Sequence, residues 1–284
     1  MMTQKSLSIN VGGRLMTFET PKVMAILNVT PDSFYAGSRN FDSDRIGAHV
    51  GKIIAEGADI IDIGGYSTRP GAPEVTAEEE YNRLARGLEI IRRKDPDAVV
   101  SVDTFRADVA RRCVEEWNVQ IINDISGGDM DPEMGATVAD LRVAYILMHT
   151  RGTPQNMQQL TDYRDVTAEV IEHLARRIYS LRELGVCDII ADPGFGFAKT
   201  LEQNYTILRE FNQFKRLGVP VLTALSRKSM IYKALHTSPD EALAGTVALD
   251  TVALLNGADL IRVHDVRPAV ETIKLLSLLN ASKC

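Results

Sequence analysis

Apolar positions in this chain gather in short runs rich in Val and Ile, each closed by a polar or glycine-containing cluster. Such runs predict strands covered on both faces. Eight occur: VMAILNVT at 23–30, DIIDIGG at 59–65, AVVSVDT at 98–104, QIINDIS at 120–126, AYILMHT at 144–150, CDIIADPG at 187–194, PVLTALS at 220–226 and ADLIRVHD at 258–265. Their starts lie 22 to 43 residues apart, which leaves room for a helix after each. Helix signals fill the gaps. Thr76 with Glu79 makes a capping-box pattern ahead of EEEYNRLARGLEIIRR, and Ser238, Pro239 and Glu241 supply an N-cap, an N1 proline and an N3 acid before a long apolar helix. Gly185, Gly218 and Gly257 sit where helices should stop.

Eight βα units in roughly 250 residues predict a (β/α)8 barrel. Ahead of them, LSINV, Gly12-Gly13 and RLMTFE predict a hairpin over 6–18 that could plug the N-terminal mouth. The expectation is one domain over 1–284. A doubly wound open sheet is the alternative architecture, weakened because no G-x-G-x-x-G follows the first run.

Composition narrows the function. The 284 residues carry 32 Lys+Arg against 38 Asp+Glu, a net charge of -6, and no basic run of five, which argues against a general nucleic-acid surface. Cys113, Cys187 and Cys284 are odd in number and far apart, with no C-x-x-C pair, so a reducing compartment is expected. No leader of basic and apolar regions opens the chain, and no apolar stretch approaches 18 residues. A cytoplasmic enzyme is the expectation.

A barrel of this kind does its chemistry at the C-terminal ends of its strands. There the chain places Asn28, Asp62, Asp103, Asn123 with Asp124, His149, Asp192, Ser226 with Arg227 and Lys228, and Arg262 with His264. Polar strand ends also arise because loops are polar, and Asp32, Ser33 and Asp131 are expected to be turn or cap residues. Polarity inside an apolar run is harder to explain that way. Asp62, Asn123 and Arg262 each interrupt one, and burying such groups costs several kcal/mol unless partners satisfy them. A shared polar pocket accounts for all three. Asp62 could contact a ligand or bond loop amides from beneath, and His149 could be a ligand or a satisfied strand-end histidine. Asp103, Asn123 and Asp192 suit a heterocycle with N–H and NH2 groups, while Arg262, His264, Lys228 and Asn28 suit a phosphate or pyrophosphate.

In order along the chain, ILNVTPDSF at 26–34, GGYSTRPGA at 64–72, SVDT at 101–104, IINDIS at 121–126, LMH at 147–149, DPGFGF at 192–197, SRKS at 226–229 and RVHDV at 262–266 resemble dihydropteroate synthase. The resemblance touches every strand and covers about 20–280. It implies condensation of 6-hydroxymethyl-7,8-dihydropterin pyrophosphate with 4-aminobenzoate, by a dissociative route, to 7,8-dihydropteroate and pyrophosphate in folate biosynthesis. By resemblance Asp103, Asn123, Met148, Asp192 and Lys228 hold the pterin, with Asp103 and Lys228 catalytic. Asn28, Arg262 and His264 take the pyrophosphate, Asn28 also contacting Mg2+. Thr68, Arg69, Pro70, Phe197, Lys228 and Ser229 bound the 4-aminobenzoate pocket, which implies inhibition by sulfonamides. Gly37, Gly64, Gly65 and Gly71 would let the first two βα loops close.

Two positions depart from the family pattern: Tyr35-Ala36-Gly37-Ser38 stands where many members read Ser-Asp-Gly-Gly, and Tyr66 where Glu or Ala is common. A pterin-binding methyltransferase barrel is the alternative activity, and a non-catalytic partner barrel a third; STRPG, SRKS and RVH favour the synthase. Segments 241–258 and 268–281 are apolar on more than one face, which predicts a homodimer through them unless they bury that surface on each other and the hairpin.

Overall fold

The computed structural model describes residues 7–30, 39–66 and 75–281, with the side chains of 39–42 and 280 excepted. Its first elements are β1 (Ser8–Val11) and β2 (Arg14–Thr17), antiparallel in the register Val11↔Arg14. Gly12 and Gly13 form the two-residue turn with φ of 62° and 84°, the left-handed pair this tight hairpin requires.

The barrel strands are β3 (Lys22–Asn28), β4 (Ile60–Gly64), β5 (Val100–Asp103), β6 (Ile121–Asp124), β7 (Ala144–Met148), β8 (Ile189–Asp192), β9 (Leu222–Thr223) and β10 (Leu260–Val263). They pair in parallel in the order β8-β7-β6-β5-β4-β3-β10-β9. A bridge between Ala191 and Val221 brings β8 back to β9, with Ala191 N–H donating to the Pro220 carbonyl at 2.8 Å. The eightfold barrel expected from the spacing is therefore present. Around it lie α1 (Arg39–Glu56), α2 (Ala77–Lys94), α3 (Ala107–Trp117), α4 (Met134–Leu141), α5 (Val166–Glu183), α6 (Leu201–Arg209), α7 (Ser229–Tyr232), α8 (Leu243–Leu255) and α9 (Val266–Ala281).

Side chains alternate inward and outward along each strand. Outward positions such as Val23, Ile61, Ile63, Val102, Leu147 and Val263 join the large core beneath the helices. Inward positions at the N-terminal ends, Met24, Ile60, Ile121, Ala144, Ile190, Leu222 and Leu260, form a second core with Ile9, Val11 and Phe18. The hairpin thus plugs the N-terminal mouth, as its position predicted. Each plug side chain contributes about 1.5–3 kcal/mol by leaving water. Further up the same inward faces the residues turn polar: Asn28, Asp62, Asp103, Asn123, Asp192 and Arg262. The polar interruptions of the apolar runs are these inner faces.

Local signals held with two adjustments. Thr76 accepts from Glu79 N–H at the start of α2, while the Glu79 carboxylate pairs with Arg83. The Ser238 capping box starts a short 3-10 turn over Pro239–Glu241, and α8 begins separately behind Ala242. The cap was legible; the break after it was not, because Glu241 is committed to closing the box. Gly185, Gly218 and Gly257 take φ of 96°, 66° and 92° at the expected stops.

Candidate active site

The C-terminal mouth carries a connected polar set on four strands. Arg262 of β10 lies at its centre, its Nε donating to Asp62 Oδ2 at 2.6 Å and its NH2 to Asp103 Oδ2 at 2.8 Å. Asn123 donates from Nδ2 to the same Asp62 oxygen at 3.1 Å. Asp62 is fully buried, and its Oδ2 accepts from two side chains of the mouth. Its other oxygen, Oδ1, has no partner among the described residues. Asn28 and Asp103 flank Gly64, where a side chain would start 3.6 Å from both Asn28 Oδ1 and Asp103 Cβ.

Burial pushes the Asp103 carboxyl up to about 7; Arg262 opposes that shift, while Asp62 adds to it. Burial also works against the charge on Arg262, but Asp62 and Asp103 outweigh it and hold the guanidinium charged. Asp192 is raised by burial and opposed by Lys228 and by the Gly194 N–H, which donates to Oδ1 at 2.7 Å. Lys228 itself is pushed down to about 8 by burial, with Asp192 resisting. Its ammonium donates to the Phe195 carbonyl at 2.5 Å and stands 4.9 Å from the centre of the Phe197 ring. Ser229, the first residue of α7, follows it directly.

Several strand-end residues serve the scaffold. Asp124 accepts from Ser126, Gly128 and the Tyr145 hydroxyl, shaping the loop after β6. Asp131 accepts from Ala107 N–H and so caps α3 from a distance, the cap role expected of it. Arg227 and Asp265 form a two-bond pair, each bond 2.9 Å, joining the loop after β9 to the turn after β10. His264 is exposed, and its Nδ1 lies 3.0 Å from Ser226 Oγ. His149 is buried and satisfied within the protein, with its Nδ1 3.0 Å from the Lys199 ammonium. Met148 is buried at the end of β7.

Thr68, Arg69 and Pro70 lie outside the described residues, as do Gly37, Gly71, Tyr35 and Ala36. Tyr66 is described: its ring meets Phe105 edge-on at 5.3 Å and lies under the Arg106 guanidinium at 5.4 Å. Arg106 in turn pairs with the buried Glu80 and donates to the Val75 carbonyl at 2.7 Å. Sequence reasoning missed Arg106 and the buried Lys199. Nothing in their local sequence signals burial, since long cations at loop ends are ordinarily solvated.

This chain matches the Pterin binding enzyme family over residues 24–264. It belongs to that family. It is 44% identical over 261 residues to the dihydropteroate synthase of Synechocystis sp., covering 90% of this chain and 89% of the relative. Its fold superposes with a TM-score of 0.89 on the Xanthomonas albilineans dihydropteroate synthase solved with 4-aminobenzoic acid, at 38% identity and covering 98% of this chain and 99% of the other. The Yersinia pestis dihydropteroate synthase, solved with a sulfonamide drug complex, gives 0.90 at 34% identity, covering 97% and 100%. All three relatives are synthases of one kind, which weighs against the methyltransferase alternative.

Proposed function

We propose that the chain is a dihydropteroate synthase, a transferase that joins 6-hydroxymethyl-7,8-dihydropterin pyrophosphate to 4-aminobenzoate. The observation that carries this reading is the linked set Asn123, Asp62, Arg262 and Asp103, standing across the mouth from Asp192 and Lys228. Asp192 and Asn123 accept from and donate to the pterin ring edge, Lys228 donates to its carbonyl, and Met148 forms a wall.

The carbon–oxygen bond between the pterin methylene and the pyrophosphate breaks, and the electron pair leaves with the pyrophosphate. The ionised Asp103 offsets the positive charge left on the pterin and its methylene. Two of the five N–H groups of Arg262 are engaged by Asp62 and Asp103, and the remainder of its fork, with His264, faces the leaving oxygens. The 4-aminobenzoate nitrogen then bonds to the methylene carbon and loses a proton. Phe197, Lys228 and Ser229 bound its pocket, where sulfonamides compete, and the resemblance assigns Thr68, Arg69 and Pro70, outside the described residues, to the same substrate.

Among the described residues no cluster of three or more His, Cys, Asp or Glu is arranged to hold a metal. Asn28 Oδ1, beside Asp103 at Gly64, would be the protein oxygen for a Mg2+ ion carried on the pyrophosphate, since Mg2+ is commonly held by substrate phosphates and few protein groups. Bound there, the ion would neutralise charge on the departing group.

The protein acts as a cytoplasmic homodimer in this reading. No helix among the described residues is long and apolar enough to cross a membrane. Although α8 packs on α9, Leu255 stays 60% exposed, and Leu275, Leu278 and Leu279 are each exposed above 60%. Exposed leucines on two neighbouring helices support association. The activity is tested by pyrophosphate release from the pterin substrate with 4-aminobenzoate and Mg2+. Dependence of release on both organic substrates is expected, and no turnover at high enzyme would overturn the reading.

A further inference from the structure

The turn over 193–199, between β8 and α6, is held by two lysines that grip its carbonyl oxygens. Lys228 takes Phe195, at 2.5 Å. Lys199, only 3% exposed, takes Gly194 and Phe197, each at 3.0 Å, and completes its coordination with His149 Nδ1 at 3.0 Å. Three acceptors match the three N–H groups of an ammonium. The turn has little freedom to sit elsewhere: Gly194 has φ 72°, and a side chain there would start 2.0 Å from the His149 carbonyl oxygen. Across Gly194 runs the link to the site. Its carbonyl is held by Lys199, while its N–H donates to Asp192 Oδ1 at 2.7 Å. The Asp192 carbonyl in turn accepts from His149 N–H at 2.9 Å, so β8 and the turn are joined on both sides to the end of β7.

We infer that Lys199 is a positioning residue for pterin binding: it clamps the turn after β8 against His149 so that Gly194 orients the Asp192 carboxylate. The inference rests on reading Asp192 as a pterin ligand. It assigns Lys199 no contact with substrate.

The electrostatics agree. Burial lowers Lys199 to about 7, opposed by Asp192 of β8, with Lys228 at the N-cap of α7 and Arg151 in the loop after β7 lowering it further. His149 at the end of β7 is held neutral by burial and by Lys199, His173 of α5 and Arg151. His149 can therefore offer Nδ1 as an acceptor, and Asp192 is the only carboxylate among these groups. Asp192, raised by burial, counts Lys199 among the charges that lower it. Removing the Lys199 charge should raise Asp192 further, so that its carboxylate is lost at a higher pH.

The test is direct binding of a fluorescent pterin, pterin-6-carboxylic acid, to the full chain as a function of pH. Lys199→Met keeps length and volume but removes both charge and donors. It should weaken the probe roughly tenfold or more at pH 7, because a displaced anchor is costly in an oriented site. The midpoint at which binding fails on acidification should move up relative to wild type. Lys199→Gln, which retains donors for the carbonyls, should fold at least as well as Met and still show the raised midpoint.

A merely structural Lys199 would lower the melting temperature and leave the affinity and midpoint of the folded fraction at wild-type values; that result overturns the inference. Should the Met variant fail to fold, the Gln midpoint decides alone. Wild-type chain that binds the probe but forms no pteroate would sink the synthase reading and leave this one standing. Wild-type chain that does not bind the probe removes the pterin site, and the role of Lys199 with it.

Discussion

Arg262 Nε stands 2.6 Å from Asp62 Oδ2 inside the barrel, with the carboxylate fully buried and the guanidinium shared with Asp103. Removing one partner of such a pair leaves an uncompensated charge where water does not reach. Arg262→Ala should therefore lower the unfolding free energy by about 3 kcal/mol, measured by urea denaturation, and abolish detectable pteroate formation. An unchanged denaturation midpoint would show that the pair does not hold the mouth together.

The pH dependence follows from Asp103 and Lys228. Asp103, raised to about 7, is neutral below that pH and charged above it, so charge stabilisation is lost as pH falls. Lys228, lowered to about 8, loses its proton as pH rises past that value. The profile of kcat/KM should be a bell with limbs near these values, because that quantity reports the free enzyme. In Asp103→Asn the acid limb should disappear and the plateau should be low. A wild-type acid limb near pH 4 would contradict the assignment.

Lys228→Ala and Asp103→Ala should each reduce kcat/KM by about 100-fold or more, the scale of losing one charge-stabilising group. Tyr66→Ala should act differently. It removes an edge-on ring contact with Phe105 worth about 1 kcal/mol, so thermal stability should drop while kcat/KM changes little. Steady-state kinetics beside melting curves separate the two, and equal kinetic losses in all three variants would mean that the site is misassigned.

Asp250 on α8 is buried and pushed up to about 8 by burial, and its Oδ1 is without a partner among the described residues. Between 3.8, its ordinary value, and about 8 the folded chain holds a proton that the unfolded chain releases. Stability from this group is therefore lost as pH rises through that window. Melting temperature should fall between pH 5 and 8 in the wild type and fall less in Asp250→Asn. Parallel curves would exclude a buried titration at this position.

The exposed leucines of α8 and α9 predict a dimer that is sensitive to charge. Leu255→Lys with Leu278→Lys should shift sedimentation from dimer to monomer at micromolar concentration, with little change in fold because both side chains are exposed. A wild-type chain that sediments only as monomer would reject the interface.

Most of the architecture was legible because strands and helices announce themselves locally. Val100, Val102, Ile61 and Ile63 point outward into the helix layer, and the polar residues between them point into the barrel, so period two alone separates scaffold from site. The Gly12-Gly13 turn and the glycines that end helices were equally plain, since positive φ is a property of single residues. The Ser238 cap illustrates the limit: its residues matched a helix start, yet the chain leaves the 3-10 turn before α8 begins.

The sequence by itself determined the eightfold repeat, the leading hairpin and which residues close each strand, because all three depend on neighbours a few positions apart. Only the tertiary structure decided that Asp62 takes Arg262 and Asn123 as partners, that His149 is occupied by Lys199, and that Arg106 binds the Val75 carbonyl beside the ring of Tyr66. Those contacts join residues on different strands and loops. They depend on the register of a closed barrel and on how far long side chains reach across it, and neither is written in any local stretch of the chain.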